Sequence, residues 1–189
     1  MASDRQAKKR ARPKAKPLDA TRLEELALTY VARFATSAAR LERYLVRKLR
    51  ERGWNDEGEP AVRTLVERYV SLGYVDDAAF ARARTGSLLR RGYGPRRVRQ
   101  ALGEAGIGED VREESRPSEA AERRAALALA RKRGFGPFGR EALDRDRRQK
   151  QIAAMLRAGH RLDSARQMVD AASEQAAEQW AAEADEDET

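Results

Sequence analysis

Three glycines recur at a fixed interval, and each closes a similar phrase: Leu49-Arg50-Glu51-Arg52-Gly53-Trp54, Leu102-Gly103-Glu104-Ala105-Gly106-Ile107 and Met155-Leu156-Arg157-Ala158-Gly159-His160, with 53 residues from each glycine to the next. In every copy an apolar residue stands four places before the glycine, as in the last turn of an amphipathic helix. The residue just past a helix end often takes a left-handed conformation, which glycine adopts without the penalty a Cβ brings. A second pair of phrases, Arg91-Gly92-Tyr93-Gly94-Pro95 and Arg133-Gly134-Phe135-Gly136-Pro137, fits helix stop, aromatic turn and helix start, since proline suits the first turn of a helix. A unit repeated at this period has a thin core of its own and must stack on its neighbours. The third copy holds about eleven more residues between its proline and its glycine, around Phe138–Asp146, where a longer loop or an extra half-turn is expected.

Between these punctuation marks the apolar residues follow a helical period. Leu41, Tyr44, Leu45 and Leu49 share one face, as do Val62, Leu65, Val66 and Tyr69, then Val98, Ala101, Leu102 and Ala105, then Ala165, Met168, Val169 and Ala172. The pattern predicts helices over 21–35, 38–52 and 60–72, over 77–91, 95–105 and 109–115, and over 119–133, 146–158 and 163–178. Thr21 with Glu24 fits a capping box for the first helix, Gly73 ends the third and Asp76 caps the fourth. Leu, Ile, Val and Phe make up only about 17% of the chain, and the net charge is +8. That composition leans toward disorder, but the periodicity overrules it. With so few Val and Ile a large sheet is excluded. The expected fold is all-α: three tandem three-helix repeats forming an elongated, curved molecule, over residues 18–75, 76–116 and 117–178, between a basic tail at 1–17 and an acidic tail at 179–189. Both tails are expected to be loose.

Several chemistries are excluded. There is no cysteine, so disulfide scaffolds, thiolate catalysis and cysteine-based zinc sites fall away. His160 is the sole histidine, too few for a multi-histidine metal site. No apolar run approaches the roughly 20 residues of a membrane span, and the N-terminal residues lack the apolar segment of a secretory signal. No membrane partner is expected, and a cytoplasmic location is. No GxxxxGK[ST], HExxH or GxSxG phrase occurs, and no nucleophile, base and orienting group can be assembled. We predict a non-enzyme without metal or cofactor. Asp76-Asp77 fits a cap and a dipole partner better than a catalytic pair. His160 fits a packed or a surface residue, and Trp180 fits a docked or an exposed helix equally well.

The informative charge lies in the body. From Ala78 to Gly103 the chain carries Arg82, Arg84, Arg90, Arg91, Arg96, Arg97 and Arg99 and no acid over 26 positions. Elsewhere, as over Leu41–Arg52, arginine is interleaved with glutamate. Arginines at a helix N-terminus are slightly unfavourable to the helix itself, so an acidic partner, either phosphate or protein, would explain them. Tyr93 and Phe135 occupy equivalent turns and are expected to lock the turn onto a neighbouring helix rather than to stack on a base.

From Arg91-Gly92-Tyr93-Gly94-Pro95-Arg96-Arg97-Val98-Arg99-Gln100-Ala101-Leu102 to Gly106-Ile107 the chain resembles the RecX family, bacterial regulators of the RecA recombinase. Leu72-Gly73-Tyr74-Val75-Asp76-Asp77-Ala78-Ala79-Phe80-Ala81 extends the resemblance, and Ala27-Leu28-Thr29-Tyr30 with residues 37–53 is similar to the family's first repeat, so it covers roughly Leu18–Ala172. Two departures stand out. Ser37 is followed by Arg40-Leu41 where a Ser-x-x-Glu-Leu capping box is usual, so the second helix should be less well capped. The third repeat is poorer in Leu and carries the extra loop.

The resemblance implies three tandem three-helix repeats that bind the RecA nucleoprotein filament along its groove. It also implies restraint of ATP hydrolysis, strand exchange and co-protease activity, and so regulation of DNA repair and recombination. The partner would be the RecA filament on single-stranded DNA, with direct DNA contact left open, and the molecule is expected to be a monomer. The expected contact residues are Arg82, Arg84, Arg90, Arg91, Tyr93, Arg96, Arg97 and Arg99, with Gly94 and Pro95 defining the turn. Two other functions compete. A general basic helical DNA-binding protein would bind naked DNA with a steep salt dependence. A helix-turn-helix transcription factor needs base-reading residues at the start of a recognition helix, which Pro95–Gln100 offers only loosely.

Overall fold

The computed structural model describes residues 16–186, with side chains through Ala184. Helices α1 (Ala20–Arg33), α2 (Ala38–Arg52) and α3 (Val62–Ser71) form the first unit. The second comprises α4 (Asp77–Arg90), α5 (Pro95–Glu104) and α6 (Glu109–Glu114), and the third α7 (Glu119–Arg133), α8 (Arg145–Arg157) and α9 (Leu162–Val169), to which α10 (Glu174–Glu186) is added. No strand occurs among the described residues; Leu18 and Trp54 make one isolated parallel bridge. The apolar interior is divided into three separate clusters. Leu41, Leu45, Val66 and Tyr69 sit in the first, Phe80, Val98, Leu102 and Ile107 in the second, and Leu129, Met155, Met168 and Val169 in the third.

The local starts and stops obey ordinary capping chemistry, with differences from the sequence expectation. α1 is capped by Asp19, whose carboxylate accepts from the Arg22 N–H at 2.8 Å, and not by Thr21 with Glu24. Gly73, at φ +76°, ends α3, and Asp76 caps α4 by accepting from the Ala79 N–H at 2.8 Å. The extra residues of the third unit form a 3-10 turn at Gly136–Phe138 and a loop up to Asp144, which caps α8. The single helix expected over 163–178 is two. α9 stops at Val169, Arg148 clamps the Asp170 carboxylate with two hydrogen bonds, and Ser173 starts α10 by accepting from the Ala176 N–H at 3.1 Å.

α10 lies on α7. Arg123 donates to the Trp180 carbonyl at 2.9 Å and its guanidinium sits 4.9 Å from the Trp180 ring, while Arg131 pairs with Glu178. Ala177, Ala181 and Ala184 are buried along this contact. The acidic segment expected to be loose from 179 onward is therefore helical and docked through the described residues. Most of the basic tail, residues 1–15, lies outside them.

Two joints connect the units, and they share one design. At the second joint along the chain, the N-terminus of α5 meets the C-terminal turn of α8: the Gly94 N–H donates to the Ala158 carbonyl at 2.9 Å, the Arg96 N–H to the Gly159 carbonyl at 3.1 Å, and His160 Nε2 to the Gly92 carbonyl at 2.9 Å. His160 is buried, which pushes its imidazole below the ordinary range and leaves it neutral. The N-terminus of α2 meets the C-terminal turn of α5 in the same way. Here the Ser37 hydroxyl donates to the Ala105 carbonyl at 2.6 Å, and Asp77 of α4 accepts from the Ala38 N–H at 2.8 Å. Ser37 accepts from the Arg40 N–H only at 3.3 Å, the weaker cap expected from its incomplete box. The equivalent turn at the end of α2 is covered by the chain's own N-terminal segment: the Leu18 N–H donates to the Gly53 carbonyl at 2.9 Å.

The second joint leaves no room for a Cβ at Gly94, which would lie 2.5 Å from the Gly159 carbonyl although the backbone there (φ −83°) suits any residue. Gly108, the N-cap of α6, has open space around it. Both substitutions to alanine lose the same capping preference, so their difference isolates the joint. Gly94→Ala is expected to cost about 2 kcal/mol more than Gly108→Ala, read as Tm and urea midpoint by circular dichroism. Equal costs would show that the joint yields freely.

Candidate partner-binding face

The structure distributes the ten expected contact residues unevenly. On α4, Arg82 and Arg90 are exposed and Arg84 is half-buried, while Phe80, Ala81, Thr85 and Leu88 form the buried face. On α5, Val98, Ala101 and Leu102 face inward and Arg96, Arg97 and Arg99 are exposed. Gly94 is buried in the joint, while Pro95, half-buried beside it, opens α5 and lines the cleft between α5, α6 and α7. Tyr93 is half-buried against the second core and Phe135 against the third, the locking role expected of them.

One expectation is corrected. The run without acids along the chain is not free of acids in space, because Arg99 pairs with Glu109 and lies 3.4 Å from Glu113, both on α6. No outside acid is needed to explain Arg99. Arg97 donates to Gln100 at 2.9 Å, and Gln100 donates to the Glu104 carboxylate at 2.9 Å.

The strongest concentration of unopposed charge lies at the second joint. A cleft of about 310 Å³ is lined by Arg91, Lys132, Arg133 and Arg157 over a floor that includes Tyr93 and Phe135, and no carboxylate lines it. All four cations are exposed, and Arg91 lies 5.3 Å from the Tyr93 ring. A concave site of one sign focuses the field and raises the local concentration of counter-charge. Lys132, Arg133 and Arg157 were not among the expected residues. A signal for them existed: the two copies of the Arg-Gly-aromatic-Gly-Pro phrase contribute Arg91 with Tyr93 and Arg133 with Phe135, and the joint brings both copies to one cleft.

A second cleft, of about 270 Å³, opens between α5, α6 and α7, with Arg96, Arg116 and Arg161 among its walls and Glu122 at its base. Glu122 is only 8% exposed. Burial pushes its carboxyl above the ordinary range, against the pull of Arg161 and Arg116. The Arg112 Nε nearby is buried without a hydrogen-bond partner.

No cluster of potential metal ligands occurs among the described residues. Gly134, Gly136 and Gly139 have the spacing of a dinucleotide-binding GxGxxG phrase. They follow helix α7 and form a 3-10 turn, however, whereas that phrase binds pyrophosphate between a strand and a helix.

The comparisons agree on one relationship. Residues 76–115 match the family model described as RecX, second three-helix domain. A protein named "Regulatory protein RecX" from Myxococcus xanthus (strain DK1622) is 30% identical over 172 residues, which span 86% of this chain and 92% of the relative. The chain belongs to the RecX family. A RecX regulatory protein of Agrobacterium fabrum (strain C58) is 33% identical over 61% of this chain and 64% of its own length. The crystal structure of RecX from Lactobacillus salivarius shares the fold at a TM-score of 0.61 and 18% identity, covering 77% of this chain and 90% of that one. A second RecX crystal structure gives 0.62 at 22% identity over 79% of this chain and 71% of its own. The RecX relatives are named as regulatory proteins, and no catalytic family is indicated.

Glu122 tests the electrostatics of this face. Because its folded-state value is raised above the ordinary 4.5, ionising it opposes folding at neutral pH. That penalty is relieved as the pH falls through the raised value toward 4.5. Glu122→Gln is therefore expected to stabilise the protein at pH 7 and raise its Tm. The advantage disappears near pH 4 in a series of thermal melts.

Proposed function

We propose that this chain restrains a RecA filament assembled on single-stranded DNA by laying the cleft of its second joint, with the exposed arginines of α5, into the filament's anionic groove. One observation carries this reading. Four cations converge on a concave cleft that no carboxylate lines. Mutual repulsion makes such a cleft unfavourable alone and favourable against a polyanion. Family membership supplies the class of partner, since the relatives are named regulatory RecX proteins.

A nucleoprotein groove offers phosphates and acidic side chains along its length. Contacts on successive units of one chain then act together through effective concentration. Bridging neighbouring recombinase subunits in this way opposes the rearrangements that accompany ATP hydrolysis, strand exchange and co-protease activity. General binding to naked DNA is the competing function, and the same cleft would serve it.

Charge reversal separates the contributions. Arg133→Glu with Arg157→Glu, and separately Arg96→Glu with Arg97→Glu, should each raise the concentration needed to inhibit RecA-driven ATP hydrolysis by about tenfold or more, with helical content retained. Arg99→Ala should leave inhibition nearly unchanged, because that side chain is already paired with α6. Full inhibition by a folded double variant removes the cleft and α5 from the mechanism. Equally tight binding to DNA without RecA, falling by about 0.9 log units per log of salt for each phosphate contacted, would favour the competing function.

A further inference from the structure

A different surface of the first unit carries features that filament contact through the second joint does not use. α1 ends at Arg33, and the next residue, Phe34, is 56% exposed. Its ring lies tilted against Tyr30 with centroids 5.4 Å apart, and Tyr30 stacks on Tyr44 of α2 at 4.1 Å with 17° between planes. Tyr30 and Tyr44 are explained by packing, since both are half-buried against the first core. Phe34 is not, because more than half of it covers nothing.

The three rings line an open groove of about 470 Å³ together with Arg40, Arg43 and Arg47, with Glu104 as the sole acid among the lining residues. The arginines keep donors to spare. Arg40 lies 5.5 Å from the Phe80 ring, Arg43 gives one bond of 2.9 Å to the Glu104 carbonyl, and Arg47 sits 3.7 Å from Glu51 and 5.7 Å from the Tyr44 ring. The Glu104 carboxylate is already engaged by Gln100. Arg97, Gln100 and Glu104 form a hydrogen-bonded chain along α5 that ends at the groove.

We infer that this groove binds single-stranded nucleic acid, with an unpaired base stacked on Phe34 and the neighbouring phosphates held by Arg40, Arg43 and Arg47. An exposed ring beside three arginines in one groove matches the two chemistries of such a strand. Any base has a π-face for the ring, and its backbone presents the charge. Duplex DNA keeps its bases inside and cannot use the ring. An acidic peptide would use the arginines and leave the ring idle.

The test needs no recombinase, so its failure is distinct from failure of the filament reading, which rests on ATP hydrolysis. Binding of a labelled oligo(dT) strand is followed by fluorescence anisotropy at modest salt. Phe34→Ala, at an exposed site, should keep its helical signal and weaken binding about tenfold. Phe34→Trp should bind like the parent, and its added emission should be quenched by the strand. Arg47→Ala should lower the salt slope by about 0.7. Any of three results overturns the inference: parent-like affinity of Phe34→Ala for oligo(dT), equal affinity for an abasic strand, or equal affinity for a duplex of the same length. So does a Phe34→Ala protein that binds oligo(dT) normally but loses inhibition of RecA, since the groove would then be a protein contact.

Discussion

Helix ends that satisfy one another are the constraint on which this molecule depends. Every α-helix leaves free N–H groups at its start and free carbonyls at its end. Here the end of α8 supplies carbonyls to the start of α5, and the end of α5 supplies one to the start of α2. The second helix of each unit thus runs head to tail into the next, with dipoles aligned. Each hydrogen bond is worth only about 0.5–1.5 kcal/mol net, but a buried helix end left unpaired would cost about 1–3 kcal/mol per group. These joints, with the packing of α4 on α7, tie the three small apolar clusters together. The glycines follow from the same constraint. Gly106 and Gly159 turn the chain at positive φ and also give way to the incoming helix, where a Cβ would meet Ala39 or the Arg97 backbone.

The joints also decide where charge is free. Arg99 is silenced by α6 of its own unit, whereas Arg91, Lys132, Arg133 and Arg157 come from α7, α8 and the turn before α5 and converge without a counter-charge. Aromatic residues recur beside exposed cations: Arg91 on Tyr93 and Arg40 on Phe80. Such contacts hold a guanidinium in place without neutralising it, which keeps it available to an anion. The basic character of the surface is in this sense positioned by rings and not only by a surplus of arginine.

Elements that depend on local pattern were legible in the sequence. α2 spans the predicted residues 38–52, and the Gly73–Asp76 boundary and the recurrent glycines lie where periodicity and capping chemistry put them. What escaped was set by contacts distant along the chain. Alanine spacing carries through Ala165 and Ala172 into the next segment, so nothing in the apolar period marked the break at Asp170. That break is fixed by Arg148, 22 residues away. Thr21 and Asp19 both offer an oxygen near the start of α1, and only the route of Leu18 into the first core selects Asp19. The partners of Arg99 sit on another helix, and the rings of Tyr30, Phe34 and Tyr44 meet only when α1 and α2 pack. A linear count of charges picked out the basic stretch but could not see that Arg99 meets Glu109 and Glu113 of α6.

The bond from Leu18 to the Gly53 carbonyl occupies the place where another second helix would dock if the pattern continued backward. Leu18 is fully buried there, and Asn55 returns a hydrogen bond to its carbonyl at 2.8 Å. A head-to-tail interface of this kind is open-ended by nature, and its last free helix end needs a partner from elsewhere. The leucine acts as a chain terminator. It fills the end of α2, so that among the described residues the head-to-tail stacking of second helices stops at the first unit.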